Sequence, residues 1–200
     1  MFYYIARTIC SLFFKICFRY KVCDRENLPN EGAYIIASNH VSLLDPVAVG
    51  LLVRRRVSFV AREDLFRNKI FGFILRQIGV IPLHRNRQDI KAIREALRRI
   101  REGGVLAIFP EGTRSRDGSI GNFLSGIEVL ARAAQAKVVP VYLKDTNLAL
   151  PRTAYFIRLK RIRALVGEVI EPELFCNKDS SGVLIQKVRD EMQRLKNNTL

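Results

Sequence analysis

Two histidines occur in the chain, and one of them, His40, sits in the stretch ASNHVSLLDP (residues 37–46), five residues before Asp45. A carboxylate that accepts one ring N–H of a histidine fixes the tautomer and leaves the other nitrogen as a base. That is the chemistry needed to take a proton from a hydroxyl. On a continuous helix, positions five apart diverge by about 140°, so the two side chains can meet only if residues 39–45 form a turn. Asp-Pro is a favourable helix start, with Asp45 as N-cap and Pro46 at the first helical position, which places that turn just ahead of a helix. Taken alone, the spacing equally fits a hydrogen-bonded turn histidine followed by an ordinary cap.

A second stretch, FPEGTRSRDG (109–118), carries anion chemistry. Gly112 permits close backbone approach, Thr113 offers a hydroxyl, and Arg114 presents a planar fork suited to a phosphate. Arg116 adds positive charge nearby. Glu111 is out of place in an anion site unless it orients the loop or Arg114. A third stretch, GVIPLHRNR (79–87), holds Arg85 and Arg87. Arg85 is expected as a second phosphate contact. His84 has no carboxylate close by in sequence until Asp89 and is expected to be structural or peripheral.

The elements that must position these groups follow from the apolar pattern. Short apolar runs at 33–38, 57–61, 80–83, 105–110 and 137–143 suit buried strands, and a strand pair is expected over 154–170. Helices are expected at 46–55, 65–78, 88–104, 122–135 and 182–195, with Ile90, Ile93, Leu97 and Ile100 marking the buried face of the third and Gly103 stopping it. Strands alternating with helices argue for an α/β fold: a mainly parallel central sheet flanked by helices. In such sheets ligands bind beyond the carboxyl ends of the strands, where the three chemical stretches lie.

The first twenty residues, MFYYIARTICSLFFKICFRY, lack the basic n-region and small-residue cleavage site of a signal peptide. A membrane span needs about 20 largely uncharged residues, and Arg7 and Lys15 interrupt this segment. Arg7, Ser11, Lys15 and Arg19 recur every four residues and form one slowly drifting stripe, with aromatic and aliphatic residues covering the rest. That pattern predicts an N-terminal amphipathic helix in the membrane interface; a core helix with snorkelling cations is the alternative. The expected division is residues 1–23 as the interfacial anchor and 24–200 as the α/β domain.

Composition sets the outer bounds. Two hundred residues, 48% hydrophobic and 26% charged, suit one folded domain. A net charge of +15 implies an anionic partner: a membrane surface, a phosphate-bearing substrate or nucleic acid. No nucleic-acid module signature is present, so nucleic acid is not expected. Cys10, Cys17, Cys23 and Cys176 have no CxxC spacing, so reduced thiols are expected, with no metal site and a cytoplasmic catalytic face.

In this order the three stretches resemble the 1-acylglycerol-3-phosphate acyltransferase family of lysophospholipid acyltransferases. The family's N-H-x4-D block matches Asn39, His40 and Asp45, with Ser42 in its usual place; G-x-I-x-x-x-R matches Gly79, Ile81 and Arg85; F-P-E-G-T-R-S matches Phe109 to Ser115; V-P-V matches Val139 to Val141. His84 stands where that family usually has an acid and Pro82 where it usually has an aromatic residue. The resemblance implies transfer of a fatty acyl group from a thioester, acyl-CoA or acyl carrier protein, to the 2-hydroxyl of lysophosphatidate. His40 would be general base and Asp45 its orienting partner. Arg85, Glu111, Gly112, Thr113 and Arg114 would bind substrate with Asn39 and Ser42 in support, no cofactor would be needed, and residues 1–20 would contact membrane lipid. Transfer to another lysophospholipid or to glycerol 3-phosphate, or a non-catalytic module on anionic membranes, are the alternatives.

Overall fold

The computed structural model describes residues 2–84, 89–154, 156–177 and 180–198. Seven strands form a single sheet: β1 (Lys21–Cys23), β2 (Tyr34–Ser38), β3 (Val57–Arg62), β4 (Val80–Leu83), β5 (Val105–Ile108), β6 (Lys137–Lys144) and β7 (Arg163–Val166), in the order β1-β7-β6-β2-β5-β3-β4. The five strands from β6 to β4 run parallel, while β7 pairs antiparallel with β6 and carries β1 parallel to itself. The expected α/β architecture with a mainly parallel sheet is the one present.

Helices cover both sides of this sheet. They are α1 (Phe2–Phe18), α2 (Asp45–Leu52), α3 (Lys69–Gln77), α4 (Ile90–Arg101), α5 (Gly126–Ala134), the single turn α6 (Thr146–Ala149) and α7 (Val183–Asn197). The crossovers through α2 and α3 move the chain one way across the sheet, and right-handedness puts both on the same side. The crossovers through α4 and α5 move it back on the other. Two apolar clusters match this division: Phe14 and Phe18 of α1 pack with Ala48, Val49 and Leu52 of α2, while Ala96 and Ile100 of α4 pack with Ile127 of α5 and Leu184, Val188 and Met192 of α7. β2 divides them. Tyr34 and Ile36 join the first cluster and Ile35 and Ala37 the second, so both faces of this strand are buried and its continuous apolar run is explained.

Several elements differ from the expectation. The strand pair over 154–170 is one short strand, β7, plus an isolated bridge from Ile170 to Val138. Both edges of β7 are already taken, by β6 and by β1, so no hairpin partner can dock. The N-terminal helix stops at Phe18, because Arg19 turns left-handed (φ 45°), and Lys21–Cys23 joins the sheet instead of extending the helical segment to residue 23. The helix expected over 65–78 is split at Asn68, whose side chain accepts the N–H of Phe71 and caps α3. On α4 the buried face is Ala92, Ala96 and Ile100; Ile90 is 56% exposed, being the first helical residue after the Asp89 cap. The four cysteines form no disulfide.

Candidate active site

The site grows out of register. β2 and β5 pair with Ala37 opposite Ile108, so three residues beyond that pair His40 comes level with Glu111. The loops lock together there. The N–H of His40 donates to Glu111 Oε1 at 3.1 Å, and the N–H of Ser115 donates to the carbonyl of His40 at 2.7 Å. On the other flank Asn39 continues the ladder with its side chain: its amide donates to the Leu143 carbonyl at 3.1 Å and accepts the Leu143 N–H at 2.7 Å. Ser42 donates to the Leu150 carbonyl and accepts the N–H of Leu44. Asn39 and Ser42, expected as supporting residues, thus tie the turn to the end of β6 and to Leu150 just after α6.

His40 Nδ1 lies 2.8 Å from Asp45 Oδ2, and the ring stacks on Phe109 with centroids 4.2 Å apart. The same oxygen accepts the N–H groups of Val41 at 2.6 Å and Ser42 at 2.7 Å. An oxygen already accepting two backbone donors is an acceptor towards the ring as well, so Nδ1 carries the hydrogen and Nε2 is left with its lone pair. Nε2 makes no hydrogen bond to the described residues. The Asp45 side chain is fully buried, whereas 18% of the His40 side chain is exposed.

Asp45 is not the N-cap expected from Asp-Pro. It is the first residue of α2, behind Leu44 at the N-cap, and its carboxylate bonds back to the His40 ring and to the N–H groups of Val41 and Ser42. Side chains in the first turn of a helix lean back towards its N-terminus, which carries this carboxylate over the 40–42 turn. The histidine partner and the turn brace are therefore one group.

The FPEGTRS stretch forms a loop over the same strand ends. Gly112 is left-handed (φ 66°), and a Cβ there would meet Leu124 at 2.7 Å. Glu111 is 9% exposed; besides the His40 N–H it accepts that of Gly121 at 3.3 Å, and burial raises its carboxyl above the ordinary value against the pull of those donors. Glu111 thus bridges the His40 turn to the chain at Gly121. Asp117 is held down to about 2 by the hydroxyl and N–H of Ser119 and the Ser115 hydroxyl, in a tight turn.

A surface cavity of about 440 Å³ opens beside this turn, lined by Glu111, Thr113, Arg114, Arg116 and Arg152 among others. His40 adjoins this wall through Glu111 and Ser115 without lining the cavity itself. Arg85 lies outside the described residues. His84 is half exposed and paired with Glu63 and Asp89, a peripheral position as expected.

A family model for acyltransferases matches residues 19–144. The chain belongs to the acyltransferase family. Among its relatives, a 1-acyl-sn-glycerol-3-phosphate acyltransferase of Bacillus subtilis is 24% identical over 177 residues, covering 88% of this chain and 86% of that one. A chloroplastic enzyme of the same name from Arabidopsis thaliana is 26% identical over 188 residues, covering 90% of this chain but 52% of its own length. A Brassica napus relative is matched over 44% of its length, so the chain spans about half of these two plant proteins. Among solved structures, the 1-acyl-sn-glycerophosphate acyltransferase PlsC of Thermotoga maritima has the same fold, with a TM-score of 0.80 at 23% identity over 97% of this chain and 79% of that one.

One cavity residue carries no signal in the sequence. Arg152 follows α6 and donates to the Arg114 carbonyl at 2.8 Å, which brings a third guanidinium to the wall already holding Arg114 and Arg116. No spacing signal marks it. Its clue was positional: the segment after β6 leaves the same carboxyl edge as the two motif-bearing loops.

Proposed function

We propose that this chain transfers a fatty acyl group from a thioester to the 2-hydroxyl of 1-acylglycerol 3-phosphate, yielding phosphatidate. The observation that carries this reading is the 2.8 Å contact between His40 Nδ1 and Asp45 Oδ2, in a turn bonded directly to the 111–115 loop. The family membership and the names of its relatives support the choice of substrate.

The reaction needs one proton moved twice. Nε2 of His40 takes the proton of the acceptor hydroxyl as its oxygen bonds to the thioester carbonyl carbon. Asp45 holds the Nδ1–H and stabilises the imidazolium that forms. As the tetrahedral adduct collapses, the carbon–sulfur bond breaks and the imidazolium returns its proton to the sulfur. A thiol of pKa about 8.5 leaves readily, so direct transfer suffices, and no G-x-S-x-G elbow is present to form an acyl-enzyme. Arg114, aided by Arg116 and Arg152, binds the acceptor phosphate, Gly112 and Thr113 shape the loop, and Glu111 orients it against His40. These contacts supply positioning. Either acyl-CoA or acyl carrier protein presents the required thioester.

The same proposal places the enzyme on a membrane through α1. Among the described residues no helix is long and apolar enough to cross one. Ile5, Ile9, Leu12 and Ile16 lie along one side of α1, each more than half exposed, while Tyr3, Cys10, Phe14 and Phe18 turn to the protein. This corrects the expected cationic stripe. Arg7 belongs to the protein side, donating to the Val53 carbonyl at 2.8 Å, whereas Lys15 is exposed. A helix with one side docked and another apolar side open suits an interfacial placement of Phe2–Phe18, ahead of the strand that joins the sheet.

The test is acyl transfer by purified protein from acyl-CoA and from acyl carrier protein to lysophosphatidate, lysophosphatidylcholine and glycerol 3-phosphate. Phosphatidate formed faster than either other product supports the assignment. Equal or greater transfer to lysophosphatidylcholine would move the acceptor, and no transfer from either donor would remove the reading.

A further inference from the structure

Beyond α1, a second helix on the same side of the sheet presents apolar residues that stand exposed among the described residues. Ile70, Phe71, Phe73 and Ile74 of α3 are 77%, 46%, 54% and 38% exposed, in a helix of nine residues. At 100° per residue they span one continuous arc, opposite the buried Gly72 and Leu75. Gly72 is what seats the helix. Its missing Cβ would stand 2.5 Å from the Phe66 carbonyl, so the backbone rides close to the preceding turn with its large side chains outward.

Four large apolar side chains on one short helix form a patch of the kind that marks an interaction surface. Two features say what covers it. The first is charge. Neither α1 nor α3 contains an acidic residue, and exposed Lys69 and Arg76 flank the α3 patch on one side, with exposed Arg67 just ahead of the helix. The acids nearest in sequence, Glu63 and Asp64, are paired with His84 and Arg62. Apolar residues flanked by cations complement an anionic lipid surface, with the side chains in the acyl region and the cations among the headgroups.

The second feature is continuity with α1. The Arg56 guanidinium lies 5.5 Å from the ring centroid of Tyr3 at the start of α1 and donates to the Gln77 carbonyl at the end of α3. The start of α1 and the end of α3 are therefore neighbours, on the same face of the sheet. β3 is parallel to β2 and β5, so the α3 end that follows it starts at the edge of the sheet holding the His40 turn.

We infer that α3 is a second membrane-contact element, which inserts Ile70, Phe71, Phe73 and Ile74 into anionic bilayers and lays the carboxyl edge of the sheet against the lipid. The inference rests on the membrane reading of α1 and adds to it a second contact that fixes orientation.

The chain contains no tryptophan, so Phe73→Trp and Ile9→Trp each introduce a sole reporter at an exposed position on α3 and α1. Each variant is mixed with equimolar phosphatidylglycerol and phosphatidylcholine vesicles, with and without bromine on the phosphatidylcholine acyl chains. Insertion predicts a blue shift on adding vesicles and loss of most emission only with brominated lipid, for both variants. Quenching of Ile9→Trp but not Phe73→Trp overturns the α3 inference and leaves α1 on the membrane. Quenching of neither overturns both. A blue shift of Phe73→Trp without vesicles, together with a doubled mass in solution, would mean that a second copy of the chain covers α3 and would also overturn it.

Discussion

Around His40 the turn from 39 to 45 is braced on every side, with Asn39 bonded to Leu143, Ser42 to Leu150, Asp45 to Val41 and Ser42, and the His40 backbone to Glu111 and Ser115. On the outer sides of α1 and α3, by contrast, large apolar side chains stand exposed, and in the proposed placement their contacts are with lipid. The first region is built to hold geometry before any ligand arrives, and its polar groups are costly to disturb because most are buried. The second owes little to the fold and much to its surroundings. The same kind of substitution should therefore cost stability in one region and membrane affinity in the other.

The largest effect is expected at Asp45. Asp45→Ala strands the His40 ring N–H and two backbone N–H groups in a buried site, and each buried donor left unpaired costs about 1–3 kcal/mol, read together as a lowered urea midpoint. A stability within error of wild type would mean that the turn is held by its other bonds alone.

The two sides of α1 give the contrast within a single helix. Phe14 is 2% exposed and Ile16 is 67% exposed. Phe14→Ala should destabilise by about 3–5 kcal/mol, whereas Ile16→Ser should stay within about 0.5 kcal/mol of wild type and weaken flotation with anionic vesicles. If Ile16→Ser unfolded the chain, the proposed lipid side would belong to a protein interior. Because Phe14 and Phe18 are buried in the core, deleting the helix would confound both effects, so point substitutions are the sharper tool.

Arg114→Ala should raise the apparent KM for lysophosphatidate by roughly 10–100-fold, the worth of one charged hydrogen bond, with little change in KM for the acyl donor. An equal rise for both would reassign the residue to the donor phosphates.

The smallest effect concerns pH. Asp117 falls from the usual 3.8 to about 2, chiefly through the Ser119 hydroxyl. Its folded value lies below the unfolded one, so the unfolded chain binds more protons in that window. The contribution is present above pH 3.8 and lost as pH falls through about 2. The Ser119 amide resonance should shift over that range, and Asp117→Asn should abolish the titration.

Much of this was legible in the sequence, and the gaps have physical causes. The central strands β2, β5 and β6 were plain because strands buried on both faces must be continuously apolar. β1 was missed because three residues carry no period of their own and pair only where β7 leaves an edge. Arg7 and Lys15 were placed on one stripe because a four-residue spacing drifts only about 40° per step; over two steps the drift crosses from the docked side to the open one, and sequence spacing does not say where that boundary falls. His40 and Asp45 were legible as a pair because the turn between them is local. Arg152 was not, since only the fold brings it to Arg114.

The account turns on His40 acting as base through the nitrogen that Asp45 leaves unoccupied. The direct measurement is the rate of acyl transfer to lysophosphatidate by His40→Ala, alongside its unfolding midpoint and vesicle binding. A fall of roughly 10²–10⁴-fold with both controls unchanged is the expected result. Wild-type turnover by that variant would contradict it.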